Sequence, residues 1–132
     1  MQIEIFTLCD SANTYAGKTV ISGAFNQVTV KELPYKSQNM TLAVRVSFEK
    51  EERGDKTFYF TIKNPDGTLL IPELRCETKQ NVPIEKQSPI ITLDLSLVLG
   101  NISLAQYGQY VITMKLDNKE YFFHFYLLQG KL

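Results

Sequence analysis

Apolar and polar residues alternate strictly in segment after segment of this chain, a period that commits most of it to extended strands. The clearest runs are Met40-Leu42-Val44-Val46-Phe48, Phe58-Phe60-Ile62, Ile91-Leu93-Leu95-Leu97 and Tyr110-Ile112-Met114-Leu116. Residues two apart in a strand share a face, so each run predicts one buried surface with polar residues opposite. No long segment carries a helical period, and a short helical turn over residues 103–107 is the most the pattern allows.

About eight strands follow from this reading. The first covers residues 2–9 and leads into a loop over 10–18. The second covers 19–30 and is interrupted near Gly23 by a bulge or bend. Residues 31–37, with Pro34, read as a crossing loop, 40–49 as the third strand and the charged tract 50–55 as a solvated turn. Asn64-Pro65-Asp66-Gly67 has the residues of a type I turn, with Pro at the second position and Gly at the fourth. A loop over residues 65–67 then sets Ile62 opposite Leu70 and Phe58 opposite Leu74. Pro72 lies between these pairs and marks an edge or a break, because it has no N–H for a ladder. Residues 78–87, with Pro83, form a polar loop, 88–98 a sixth strand, and 100–108 the connection to the last hairpin.

That hairpin is the sharpest local signal. A two-residue loop at Asp117-Asn118, both types that tolerate positive φ, suits a type I′ turn. Its register predicts Met114 opposite Tyr121, Ile112 opposite Phe123 and Tyr110 opposite Phe125 on one face, and Lys115 opposite Glu120 on the other. A slip of one residue breaks every match. Turn signals between strands, with no helical crossovers, point to an all-β fold: an antiparallel two-sheet β-sandwich, with a β-barrel as the alternative. The expectation is a single domain over residues 1–132, long enough to form a core without disulfide staples.

Charge and motif content narrow the function classes. Lys plus Arg equals Asp plus Glu, 14 against 14, so no net field draws the chain to nucleic acid or an anionic membrane. The first residues have no basic stretch followed by an apolar run, and no segment has the ~20 apolar residues of a spanning helix. The expected location is therefore cytoplasmic, with Cys9 and Cys76 as reduced thiols. One histidine, His124, excludes multi-histidine zinc sites, and neither C-x-x-C, the P-loop, G-x-G-x-x-G nor G-x-S-x-G is present. Asp10, Asn13, Asp66, Asp117 and Asn118 are the oxygen donors nearest to a calcium site, but turn geometry already accounts for them. No cofactor, metal or catalytic residue is expected.

The most suggestive surface is the outer face of the last hairpin. With Tyr121, Phe123 and Phe125 inward, Phe122, His124 and Tyr126 point outward beside Val111 and Thr113. Either another segment covers so much contiguous apolar surface, or it is a contact patch.

The stretch Met1 to Ala12, with Gly17-Lys18 and Gly23-Ala24-Phe25, resembles a bacterial family of small single-domain proteins catalogued as a domain of unknown function. Asn64-Pro65-Asp66-Gly67 and Tyr107-Gly108-Gln109-Tyr110 also occur in immunoglobulin-like and macroglobulin-like sandwiches. The resemblance implies a bacterial origin and an immunoglobulin-like sandwich; it carries over no substrate and no active site. The expected function is a non-enzymatic cytoplasmic protein-binding or assembly module, with a protein partner or a second copy on the surface formed by Val111, Thr113, Phe122, His124 and Tyr126. The alternative is a small-ligand binder for a sugar or nucleobase, using apical loops 10–18 and 31–37 with Tyr15 and Tyr35 as stacking platforms.

Overall fold

The computed structural model describes residues 1–52, 54–78 and 89–130. The elements in chain order are β1 (Gln2–Cys9), β2 (Ser11–Tyr15), β3 (Lys18–Ser22), β4 (Gln27–Val30), β5 (Tyr35–Lys36), β6 (Thr41–Glu49), a 3-10 turn (Lys50–Glu52), β7 (Lys56–Lys63), β8 (Leu74–Thr78), β9 (Ile90–Val98), β10 (Ser103–Leu104), β11 (Gly108–Leu116) and β12 (Lys119–Gln129). Most of the 78–87 loop, with Pro83, and Arg53 of the charged tract lie outside the described residues.

Two sheets face each other. One has the order β1-β6-β9 and the other β4-β12-β11-β7-β8. This is an immunoglobulin-like sandwich: β1, β6 and β9 take the A, B and E places, and β7, β11 and β12 take C, F and G. Its interior holds the runs that the alternation marked. Leu42, Val44, Val46 and Phe48 of β6 meet Phe58, Phe60 and Ile62 of β7 and Tyr110, Ile112, Met114 and Leu116 of β11, all buried. Leu93, Leu95 and Leu97 are only half-buried because β9 is the edge of its sheet.

The Tyr110 hydroxyl donates to the Gln106 carbonyl at 2.7 Å, across a corner just before β11. This is the tyrosine corner of immunoglobulin-like sandwiches, which ties the crossing loop to the start of the F strand. Tyr110 also stacks on Phe125, with ring centroids 4.9 Å apart.

The last hairpin has the predicted register throughout, including Met114 opposite Tyr121 and Lys115 opposite Glu120. Asp117 and Asn118 both have positive φ, as a type I′ turn requires.

Other expectations are corrected. Residues 10–18 are not a loop: β2 and β3 pair as a second hairpin, turning at Ala16 and Gly17, both at positive φ. It lies across the outer face of β6, so that Thr41 and Ala43 are buried there as well. Small outward residues on β6 make room for that cover, and Arg45 between them bonds Asp94 at 3.0 Å and Thr19 of β3 at 3.1 Å. The sandwich is not wholly antiparallel, since β4 runs parallel to β12. Ile62 and Leu70 do meet, through Leu70 N donating to Ile62 O at 2.7 Å, but Phe58 faces Cys76 and Phe60 faces Leu74. The register shifts by two residues around Pro72, which cannot donate to the ladder. Residues 103–107 hold no helical turn; β10 within them pairs with β5, a short strand inside the expected loop 31–37. An isolated bridge between Leu8 and Phe25 joins the end of β1 to the run entering β4, curling the two sheets toward each other. No helix among the described residues is long and apolar enough to cross a membrane.

Candidate interaction surface

The outer face of the five-stranded sheet is built by register. Pairing Val111 with His124 and Thr113 with Phe122 puts these four side chains in adjacent rungs, and Gln109 with Tyr126 completes the next rung. The same register carries the face onto β7, where Lys63 stands beside Val111 and Thr61 beside Thr113. All five residues singled out from the sequence therefore share one surface. Phe122 is 56% exposed and Tyr126 37%, His124 is exposed, and Val111 and Thr113 are half-buried by their neighbours in the sheet. Leu128, 39% exposed on the same strand, extends the stripe by one more residue.

Polar groups hold the face in shape. Gln109 Nε2 donates to the Tyr126 hydroxyl at 3.0 Å, which keeps that ring along the sheet. Lys115 and Glu120 oppose each other at one end, and exposed Lys63 stands beside Val111, so the patch carries both signs of charge.

Neither cysteine lies beside His124. Cys76 lies on the interior side of the same sheet, opposite Phe58, while His124 points outward. Cys9 is buried in the other sheet, its thiol directed at the Thr41 carbonyl. Burial first, and the neighbouring Asp10 charge second, raise the Cys9 thiol above its ordinary value; burial alone does the same for Cys76. Both thiols are free, and the raised values disfavour the thiolate that would react.

The candidate oxygen donors are not brought together. The Asp66 carboxylate is committed to Thr68 and Gln106, and those bonds hold it below the usual carboxylate range. Asp117 pairs with Lys56 at 3.0 Å. Among the described residues no group of three His, Cys, Asp or Glu side chains is placed to hold a metal ion.

The apical residues separate. Tyr15 is 75% exposed at the tip of the β2–β3 hairpin, whereas Tyr35 is half-buried against the core and lines a groove of about 740 Å³ with Asp10, Gly23 and residues 36–40. Asp10 and residues 35–37 belong to the two loops that the sequence singles out, but the third wall, from residues 23–29, is not legible there because it comes from a separate segment.

A family model described as a family of unknown function matches residues 4–122 of the chain. No curated protein and no solved structure matches it.

Proposed function

We propose, for a chain that belongs to the DUF6941 family of unknown function, a non-enzymatic assembly module of the cytoplasm that pairs with a second copy of itself. The outer face of the β4-β12-β11-β7-β8 sheet is the contact surface. The observation that carries this reading is Phe122, more than half exposed in a row with His124 and Tyr126 and beside Val111 and Thr113. Burying a phenylalanine side chain fully contributes about 1.5–3 kcal/mol, and a two-fold axis through the patch buries two.

Charge favours a copy of the same chain as the occupant. A patch of one sign repels its own copy, but this one places Glu120 on the same face as Lys63 and Lys115. The chain also carries no net charge to oppose association. The two free thiols are consistent with a reducing compartment.

Light scattering coupled to size exclusion tests the reading. The native chain is expected to run as a dimer. Phe122→Ser is expected to weaken association by about 10- to 100-fold with no loss of fold, because the side chain points to solvent in the single chain. A strictly monomeric native chain at high concentration overturns the proposal.

A further inference from the structure

We infer that the groove between the end of β1 and residues 35–40 is a binding site for a small neutral saccharide. It meets the sheet face described above only at its β4 margin, where Gln27 pairs with Tyr126, and otherwise uses different residues. Its volume, about 740 Å³, is that of a small-molecule site.

The walls are fixed by bonds that leave the groove-facing side chains free. On one side Asp10 N donates to Ser22 O at 3.0 Å, and Phe25 N donates to Leu8 O at 3.0 Å. On the other, Ser37 N donates to Ile102 O at 3.0 Å and the Ser37 hydroxyl to Gly100 O at 3.1 Å. Asp10, Gln27, Tyr35, Lys36, Gln38 and Asn39 line the groove between these walls, and their side chains make no hydrogen bond or ion pair to any described residue. The backbone of the groove is thus set before a ligand enters, and only side chains are left to order.

Gly23 directs one of these groups. It has a φ of +69°, and a Cβ there would stand 2.8 Å from the Asp10 carboxyl carbon. The missing side chain is the space that the Asp10 carboxylate occupies.

The lining chemistry selects the ligand. Asp10 and Lys36 balance each other, so the site offers no net charge to an ionic ligand. Three amides and a carboxylate give the groove both donors and acceptors, the combination that a ring of hydroxyl groups can use. Phe25 and the half-buried Tyr35 supply aromatic surface for the apolar face of a sugar ring.

Titrating the full, isotope-labelled chain with glucose, galactose, N-acetylglucosamine, maltose and cellobiose tests this, with adenosine and uridine as controls. At least one saccharide is expected to shift the Gly23, Gln38 and Asn39 amide signals saturably, with a Kd of about 1 mM or tighter. Asp10→Ala is expected to weaken that binding about tenfold or more. The Gln38→Ala, Asn39→Ala double variant, altered only at exposed positions, is expected to weaken it several-fold and serves if Asp10→Ala does not fold. Absence of saturable shifts with every saccharide, nucleoside binding alone, or affinity unchanged in the folded variants overturns the assignment.

Discussion

Phe125→Ala is expected to cost about 3–5 kcal/mol, a large part of the ~5–15 kcal/mol that holds a domain of this kind folded. The ring is fully buried and stacked on Tyr110, and it sits where β12 presses the second sheet onto the core. Truncation leaves a cavity lined by residues of several strands, and a sandwich held by cross-strand pairing collapses poorly around such a gap. Equilibrium urea unfolding followed by fluorescence or circular dichroism measures it. A loss below about 1 kcal/mol would mean that Phe125 is not at the centre of the core. Phe122→Ser, three residues earlier and facing outward, is the matched control, expected to change the stability of the isolated chain by less than about 0.5 kcal/mol.

Tyr110→Phe keeps the ring stack but removes the bond to Gln106, and is expected to cost about 1–3 kcal/mol. The Gln106 carbonyl and amide both engage the hydroxyl, so two backbone groups lose their partner at once. The pH dependence separates this bond from simple packing. Burial, with a smaller contribution from the Asp66 charge, raises the Tyr110 hydroxyl above its ordinary value, although its bond to Gln106 pulls the other way. A group whose folded pKa is raised binds its proton more tightly in the folded state. Its contribution is fully present below the unfolded value of about 10 and is lost as pH rises through the folded one. The two raised thiols act in the same direction, starting lower, above about pH 8.5. The native chain is therefore expected to lose stability progressively above about pH 8.5, and Tyr110→Phe to show a shallower decline above about pH 10. Denaturation midpoints across that range check it, and identical slopes in the two proteins would refute the raised tyrosine.

The groove and the sheet face predict different behaviour in one molecule. Phe122→Ser acts on association and leaves the groove intact; Asp10→Ala acts on ligand binding and leaves the sheet face intact. Either proposal can therefore fail without taking the other with it.

Local patterning made β1, β6, β7, β9 and the β11–β12 hairpin readable, because a period of two assigns each side chain to a face and Asp117-Asn118 selects the turn. It also put Val111, Thr113, Phe122, His124 and Tyr126 on one surface, since pairing register follows from the turn alone. The β2–β3 hairpin escaped notice for a physical reason. Its strands lie on the outside of the sandwich and add little to the core, so they need few apolar residues, and Ala16 takes a positive φ that its type does not announce. The parallel pairing of β4 with β12, the two-residue shift at Pro72 and the groove beside Asp10 all join segments distant in the chain. Alternation records which way a residue faces, but not which strand lies next to it; that choice is made when separate strands compete to bury the same interior.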